Sequence, residues 1–303
     1  MRFSKLQAAG NDFILADSLA EARQRDWGKL ACAMCDRHFG VGADGLILAE
    51  NSTVADLRMR VFNADGSEAE VSGNGLRCFV KYAIEQGLIS QTRSRSSQVE
   101  SRSPRFSRSV TVETLSGVRK VKAYISGGRV RQVEVSMGQP QFQPERIPVK
   151  VQSQMLVASV PMLDYPVKIG SKRLRLSLIS MGNPHAVTFS SQPVANFPLA
   201  EIGPKVENHP IFPKKTNFEV ARVLSRRKIE ARVWERGVGE TLACGSGACA
   251  IAVAAQLLEY ASRQVDIIFP GGTLTVSWDK VGDVLLNGPV EQVFAGEWLG
   301  EVS

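Results

Sequence analysis

The chain has 303 residues, of which 44% are hydrophobic and 22% charged, and its formal net charge is +7. This composition is typical of globular proteins, and the length suits about two domains. No apolar run approaches the roughly 20 residues that span a membrane, so the sequence predicts no membrane-spanning helix. The first residues, MRFSKLQAAGNDF, lack the apolar stretch of a signal peptide, and we therefore expect a cytoplasmic protein.

The first predicted elements are short strands with two helices among them. FILAD (13–17) and LRMRVF (57–62) are rich in branched and aromatic residues, which favours strands. The pattern predicts one helix over Ala20–Arg37 and a second over Leu76–Glu85, directly after a glycine-rich turn.

A tract rich in serine and arginine follows, at residues 91–109. It contains five arginines and one acid, Glu100, so it carries much of the net charge. Because it offers almost nothing to bury, we interpret it as a flexible surface loop between a helix ending near Leu88 and a strand starting near Val110. A basic loop of this kind also leaves nucleic-acid binding open as a hypothesis.

The second half again consists mainly of strands. The predicted strands are RQVEVSM (131–137), HAVTFS (185–190), NFEVARVL (217–224), IEARVWE (229–235), VDIIF (265–269) and LTVSW (274–278). Ala248–Tyr260 is apolar nearly all round, which predicts a buried helix. Many strands around two central helices indicate an α+β fold, with a curved, mostly antiparallel sheet wrapped around one helix in each domain.

An internal repeat supports two related domains. Four landmark pairs are each 172 positions apart in the sequence: Asn11 and Asn183, Asn63 and Glu235, Glu68 and Glu240, and Ser72 and Cys244. One pair with this spacing could arise by chance. Four pairs with the same spacing, from residue 11 to residue 72 of the first half, indicate two homologous halves. We expect residues 1–129, completed by 290–303, to form one pseudo-symmetric half and residues 130–289 the other.

The five cysteines do not suggest a disulfide framework, because their number is odd and the chain is long. Cys32 and Cys35 lie three apart on a predicted helix, which favours packing of both against the core. A second pair of zinc ligands is missing from the sequence, so we expect no metal site. Cys78 is expected to pack in the core. A reducing compartment would leave Cys244 free for chemistry.

Each half has a turn of small residues that opens an apolar helix: SGNG at 72–75 and CGSG at 244–247. Glycines allow a ligand close to the backbone, and the unpaired N–H groups of a first helical turn favour an anion such as an α-carboxylate. A thiol at a helix start is expected to have a lowered pKa. Two proton-carrying groups on opposite faces of a carbon would invert it without a cofactor.

Over its whole length the chain resembles the diaminopimelate epimerase family. The resemblance rests on motifs in the family's order and spacing: GNDF (10–13), DRHFGVGADGLI (36–47), FNADGSE (62–68), SGNGLRC (72–78), MGNPH (181–185), TNFEV (216–220), ERGVGETLACGSGAC (235–249) and PGG (270–272). It implies two pseudo-symmetric domains that act on LL-diaminopimelate and give the meso isomer, in the lysine and peptidoglycan precursor pathway, without pyridoxal phosphate or metal. It also implies a homodimer. The aromatic C-terminal stretch around Phe294 and Trp298 either packs in the core or, as the resemblance implies, supports the dimer interface.

The resemblance assigns Cys244 and the position of Ser72 as the two acid/base sites, and His185 and Glu235 as groups that tune the thiols. It further implies the substrate-binding set Asn11, Asn63, Gly73, Asn74, Asn183, Asn217, Glu235, Arg236, Gly245 and Ser246.

The chain departs from the family at two positions. Gly45 stands where the family often has a glutamine that contacts the substrate's distal end. Ser72 stands where the family usually has the second catalytic cysteine, and a hydroxyl is a far weaker acid than a thiol. Ser72 is therefore a proton donor or relay in a natural Ser/Cys enzyme, an engineered replacement of cysteine, or a sign that epimerase activity has been lost.

Rival functions follow from these departures. Gly45 leaves open a racemase or isomerase of another amino acid on the same fold. Ser72 leaves open an amino-acid-binding protein without catalytic activity. Solvent exchange at the α-carbon, compared with binding alone, distinguishes these hypotheses, whereas nucleic-acid binding would depend steeply on salt concentration.

Overall fold

The structure is a computed structural model that describes residues 1–17, 25–69, 72–89, 105–150 and 161–300. The chain divides into two compact units. Unit 1 is Met1–Ser136 with Asn287–Ser303, and unit 2 is Met137–Leu286. The sequence placed the first boundary earlier, after residue 129. Residues 129–136 remain in unit 1 because they form a strand that pairs antiparallel with the preceding strand of that unit.

Unit 1 has nine strands and two helices among its described residues. The strands are β1 (Arg2–Ala8), β2 (Asn11–Asp17), β3 (Gly45–Glu50), β4 (Leu57–Asn63), β5 (Glu68–Ala69), β6 (Arg105–Thr114), β7 (Gly117–Ser126), β8 (Arg129–Ser136) and β18 (Glu291–Glu297), and the helices are α1 (Trp27–Cys35) and α2 (Gly73–Glu85). The pairs β2–β3 and β4–β6 are parallel, whereas β1–β2, β3–β4, β6–β7 and β7–β8 are antiparallel. Helix α2 packs against β1, β2 and β8.

Unit 2 repeats this plan. Its strands are β9 (Tyr165–Ile169), β10 (Lys172–Ser180), β11 (Pro184–Phe189), β12 (Asn217–Ser225), β13 (Lys228–Glu235), β14 (Gly239–Thr241), β15 (Gln264–Phe269) and β16 (Gly272–Ser277), its helices are α3 (Leu199–Glu207) and α4 (Gly245–Leu257), and β17 (Leu285–Pro289) crosses the unit boundary. Here β11–β12 and β13–β15 are the parallel pairs. Helix α4 packs against β10, β11, β12, β15 and β16. The prediction of an α+β fold with two similar halves is confirmed.

Several predicted boundaries need correction. Helix α1 begins at Trp27, where the Asp26 side chain accepts a hydrogen bond from the Lys29 amide at 3.0 Å, and residues 18–24 lie outside the described part of the chain. Cys32 is exposed on this helix, so the prediction that it packs in the core is wrong, whereas Cys35 and Cys78 are buried.

The predicted serine- and arginine-rich loop (91–109) extends too far toward the C-terminus. Residues 105–109 are part of β6 and pair with β7, where Arg105 lies opposite Ser126 and Ser109 opposite Lys122. Residues 90–104 lie outside the described residues.

Helix α3 was not predicted from the sequence. Its segment, LAEIGPKVE, contains Gly203 and Pro204, both of which usually interrupt helices. Packing explains Gly203, because a Cβ atom there would lie 2.6 Å from the ring of Trp234. None of the described helices is long and apolar enough to cross a membrane.

Candidate functional site

Ser72 and Cys244 each cap a helix with the same geometry. Ser72 precedes α2 with φ −126° and ψ 122°, and its Oγ accepts the Gly75 amide hydrogen at 3.0 Å. Cys244 precedes α4 with φ −128° and ψ 123°, and its Sγ accepts the Gly247 amide hydrogen at 3.4 Å. Each heteroatom therefore lies at the positive end of a helix, beside unpaired amides that favour negative charge.

The glycine three residues after each cap allows the turn to pack directly against a strand. A Cβ atom on Gly75 would lie 2.9 Å from Cδ1 of Ile47, on β3. A Cβ atom on Gly247 would lie 2.9 Å from Oε1 of Glu219, on β12. Ile47 and Glu219 are therefore equivalent in the repeat, but one is apolar and the other is acidic.

In unit 1 a chain of side-chain hydrogen bonds orients the two predicted binding amides. Buried Arg77 donates through Nη2 to Oδ1 of Asn74 at 2.8 Å, and Asn74 donates through Nδ2 to Oδ1 of Asn11 at 3.2 Å. The Nδ2 group of Asn11 in turn donates to the carboxylate of Asp44. The structure thus brings Asn11 into contact with Asn74, which lies two residues after Ser72.

Charged groups anchor the segment beside Asn11. Asp12 accepts from Nη2 of Arg37 at 2.8 Å and pairs with Nζ of Lys5 at 2.9 Å, while Arg37 also reaches Asp44 at 2.7 Å. Burial raises the pKa of Asp12, but the hydrogen bonds from Arg37 and Lys5 outweigh it and lower the pKa to about 2. The DRH segment therefore holds the loop that carries Asn11.

In unit 2 a corresponding chain involves His185. Its Nε2 lies 3.0 Å from Oδ1 of Asn183, and Asn183 donates through Nδ2 to Oγ of Ser246 at 3.3 Å. The Ser246 hydroxyl lies 3.5 Å from Sγ of Cys244. The other ring nitrogen of His185, Nδ1, lies 2.7 Å from Oε1 of Glu219. The structure thus connects Cys244, Ser246, Asn183 and His185 through hydrogen-bond contacts.

The prediction that the helix start lowers the pKa of Cys244 is contradicted. Burial raises the pKa of this thiol well above its usual value, and the negative charges of Glu235 and Glu219 raise it further. The hydrogen bonds from Ser246 and the Gly247 amide act in the opposite direction but do not outweigh burial. The isolated protein therefore holds Cys244 mainly as a neutral thiol.

The remaining predicted residues of unit 2 lie at the ends of β12 and β13. Glu235 accepts the Thr241 hydroxyl through Oε1 at 2.5 Å. Buried Asn217 donates through Nδ2 to the Pro184 carbonyl at 2.9 Å and accepts the Arg236 amide through Oδ1 at 2.8 Å. The amide of Asn217 therefore supports the backbone around Arg236. The Arg236 side chain is exposed, and its Nη1 donates to the Lys214 carbonyl at 3.2 Å.

Asn63 and Gly45 lie opposite each other at the paired ends of β4 and β3. Asn63 is exposed and donates through Nδ2 to Oγ of Ser67 at 2.9 Å. A Cβ atom on Gly45 would lie 2.7 Å from the Phe62 carbonyl oxygen, so a side chain at this position would require a backbone shift. Gly73 and Gly245 are the first residues of α2 and α4, so their amides belong to the unpaired first turns.

The sequence reasoning missed two features. Glu68 and Glu240 each form a two-pronged ion pair with an arginine, Arg60 and Arg232 respectively, at 2.7–3.0 Å. The two arginines are also 172 positions apart, so the repeat search contained the signal. Glu219 was missed because its counterpart is the apolar Ile47. Among the described residues, no group of three or more His, Cys, Asp or Glu side chains is placed to hold a metal ion.

Comparison with known proteins agrees with these features. The family model of diaminopimelate epimerase matches residues 3–143 and 177–293. The chain is 43% identical to the diaminopimelate epimerase of Caldanaerobacter subterraneus subsp. tengcongensis, over 98% of this chain and 99% of that protein. It is 42% identical to the diaminopimelate epimerase of Desulfovibrio desulfuricans, over 98% of both.

A solved structure extends the likeness in fold. The probable proline racemase of Agrobacterium radiobacter K84 superposes with a TM-score of 0.65 at 15% identity, covering 99% of this chain and 93% of that one. At this identity the likeness concerns the fold alone. The full-length sequence similarity at more than 40% identity, together with the match to the family model, shows that the chain belongs to the diaminopimelate epimerase family.

Proposed function

We propose that this protein is an isomerase that converts LL-2,6-diaminopimelate to the meso isomer by proton transfer at one α-carbon, without a cofactor. The observation that carries the proposal is the matched pair of helix caps, in which Ser72 Oγ and Cys244 Sγ each accept an amide hydrogen at the start of a helix. Family membership supports the substrate, because the named relatives are diaminopimelate epimerases.

The helix starts suit an amino acid's α-carboxylate. The unpaired amides of the first turns, which include Gly73 and Asn74 in unit 1 and Gly245 and Ser246 in unit 2, favour an anion. Their dipoles also stabilise the negative charge that spreads onto the carboxylate when the α-carbon loses its proton. Asn11, Asn63, Asn183, Asn217, Glu235 and Arg236 would bind the remaining polar groups of the substrate.

Inversion needs one group that removes the α-proton and another that returns a proton to the opposite face. In the proposed cycle the Cys244 thiolate accepts the α-proton and the Ser72 hydroxyl donates its proton to the opposite face. Proton exchange with water then returns Cys244 to the thiolate and Ser72 to the hydroxyl, and in the reverse direction the roles exchange. The Gly75 amide would stabilise the oxygen of Ser72 as it gives up its proton. His185 and Glu235 would set the protonation of Cys244.

The test is an exchange experiment in deuterated water. LL-diaminopimelate is incubated with the protein, and deuterium at the α-carbon and the yield of meso isomer are measured. We expect both to appear together. Folded protein that gives neither product nor exchange would overturn the proposed activity, and a panel of other amino acids then tests for a related racemase.

Ser72 favours one second candidate, an amino-acid-binding protein without turnover. This candidate predicts saturable binding of diaminopimelate, measured by calorimetry, with no deuterium incorporation. Activity gained in the Ser72→Cys variant would identify the missing thiol as the reason.

We also propose that the protein is a cytoplasmic homodimer that acts on a small molecule and binds neither nucleic acid nor membrane. A reducing compartment would keep Cys244 free. Strand β18 supports the dimer, because Val293 is 57% exposed and Phe294 44% exposed there. Sedimentation of the wild-type protein and of Val293→Lys tests this: a dimer that the lysine dissociates is expected, and a monomeric wild type would contradict it.

A further inference from the structure

Unit 2, which contains Cys244, has a buried histidine–glutamate pair that unit 1, which contains Ser72, lacks. His185 and Glu219 are both fully buried, on the neighbouring parallel strands β11 and β12, with Nδ1 and Oε1 2.7 Å apart. The positions 172 residues earlier are Phe13 and Ile47, both apolar. A glutamate in the core costs folding free energy unless it is compensated, so its presence behind the Cys244 turn alone requires an explanation.

We propose that Glu219 is a positioning residue for Cys244: it keeps a proton on Nε2 of His185 and thereby directs a chain of hydrogen bonds that ends with the Ser246 hydroxyl donating to the Cys244 sulfur. This inference rests on the proposed function only for the acid/base role of Cys244. The geometry and protonation of these hydrogen-bonded side chains do not depend on the substrate.

The burial of His185 and Glu219 limits where protons can lie on this pair. The second oxygen of Glu219, Oε2, has no hydrogen-bond partner among the described residues, so His185 is the group that compensates the carboxyl. A neutral imidazole beside an ionised Glu219 would leave a bare charge in the core, which is costly. The pair therefore holds one shared proton, either on Nδ1 or on Oε1. In both arrangements the remaining ring nitrogen, Nε2, also carries a proton.

The proton on Nε2 of His185 determines which group donates in each of the hydrogen bonds that lead to Cys244. A protonated Nε2 donates to Oδ1 of Asn183 at 3.0 Å, which turns the Asn183 amide so that its Nδ2 donates to Ser246 at 3.3 Å. Because the Ser246 oxygen then accepts, its own hydrogen is available for Sγ of Cys244 at 3.5 Å. The opposite tautomer would reverse the Asn183 amide and withdraw the Ser246 hydrogen from the sulfur.

These hydrogen bonds change the surroundings of the Cys244 sulfur. Two donors then converge on Sγ: the Ser246 hydroxyl and the Gly247 amide. Among the described residues, the titratable groups that act on Glu219 are His185 on β11 and Glu235 on β13, and those that act on Cys244 are Glu235 and Glu219. Burial, Glu235 and Glu219 itself raise the pKa of Cys244, so the donors at the end of the chain are what favours the thiolate.

The direct test is the tautomer of His185, measured by nitrogen-15 NMR. The chain has three histidines, and His38→Gln and His209→Gln variants assign the signals of His185. We expect Nε2 to carry a proton. A neutral ring with a bare Nε2 and a proton on Nδ1 would overturn the proposal. This measurement uses the wild-type protein without substrate, so it does not depend on epimerase activity.

Two variants test the consequence for Cys244. Glu219→Ile places in unit 2 the residue that unit 1 carries, and Glu219→Gln retains a group that can donate to Nδ1. The readout is the rate of alkylation of Cys244 by iodoacetamide at pH 8, followed by peptide mass analysis, with exposed Cys32 as the internal reference. We expect an about tenfold slower reaction in Glu219→Ile, which corresponds to the loss of one charge-assisted hydrogen bond, and near wild-type rates in Glu219→Gln.

Glu240→Gln is the matched control, because Glu240 is exposed in the same unit and pairs with Arg232. It should leave both the His185 tautomer and the Cys244 rate unchanged. An unchanged Cys244 rate in folded Glu219→Ile would contradict the proposal. Turnover of diaminopimelate by a wild type with a bare Nε2 would overturn this inference alone, whereas the expected tautomer without turnover would overturn only the proposed function.

Discussion

The Ser72 hydroxyl oxygen accepts the Gly75 amide hydrogen at 3.0 Å, in the backbone conformation that Cys244 adopts at the start of the other central helix. Serine is among the preferred helix N-caps, whereas a thiol accepts hydrogen bonds weakly. The cap therefore retains its structural role at residue 72, and its chemical role is what differs between the two units.

Ser72→Cys is expected to increase the rate of α-proton exchange on diaminopimelate by about tenfold or more, because a thiol transfers a proton far more readily than a hydroxyl. The free energy of unfolding should fall by no more than about 1 kcal/mol, the usual range for a weakened cap. Deuterium incorporation and urea unfolding measure the two effects. Ser72→Ala is the control, since it removes the proton carrier and the cap together; equal exchange in the alanine variant and the wild type would exclude a role for Ser72.

Cys244→Ala is expected to lower the exchange rate by a factor of about 100 or more, the range for loss of a general acid/base. Cys249→Ala is the matched control, because Cys249 is a fully buried thiol on the same helix. It should lower stability by creating a small cavity and leave the rate per folded molecule within about twofold. Equal losses of rate in both variants would show that packing, not chemistry, explains the effect of Cys244.

Buried thiols are expected to make the protein less stable in alkali. Burial raises the pKa of Cys78 from 9.0 to about 12, so below pH 9 the thiol is neutral in both the folded and unfolded states. Above pH 9 the unfolded chain loses this proton first, and the free energy of unfolding should fall by up to about 1.4 kcal/mol per pH unit until about pH 12. Urea unfolding under reducing conditions between pH 8 and 11 measures the slope.

Cys78→Ser should reduce that slope, because serine does not ionise in this range. Cys32→Ser is the comparison, since Cys32 is an exposed thiol. The same slope in the wild type and in Cys78→Ser would contradict this explanation.

The two repeated ion pairs are expected to contribute unequally to stability. Arg60 and Arg232 each hold a glutamate through two hydrogen bonds. Nη1 of Arg60 also donates to Oε1 of Glu50 at 3.3 Å, whereas Nη1 of Arg232 donates to the backbone carbonyls of Val194 and Phe197 at 2.9 and 3.0 Å. Arg232→Ala should therefore cost about 1–3 kcal/mol more than Arg60→Ala, because it leaves two backbone acceptors without their donor. Urea unfolding of both variants provides the comparison, and equal losses would show that water replaces the guanidinium at Val194 and Phe197.

Much of the fold was predictable because its signals are local. The turns of small residues at 72–75 and 244–247 precede apolar segments, and α2 and α4 begin at these turns. The predictions failed where local composition was misleading. Serine and arginine at 105–109 indicated a loop, whereas the pairing of β6 with β7 makes these residues part of a strand. Gly203 and Pro204 concealed α3, which is stabilised by packing on Trp234.

By itself the sequence determined the repeat, the two helix caps and the family, because each depends on residue types at short or constant spacing. Only the tertiary structure decided the surroundings of Cys244 and the buried contact between Glu219 and His185. The helix start indicated a lowered pKa for the thiol, but burial and two glutamates, on β12 and β13, reverse that expectation. Desolvation and charge depend on which groups folding brings together, and the sequence does not show that the side chains of His185 and Glu219 meet at 2.7 Å.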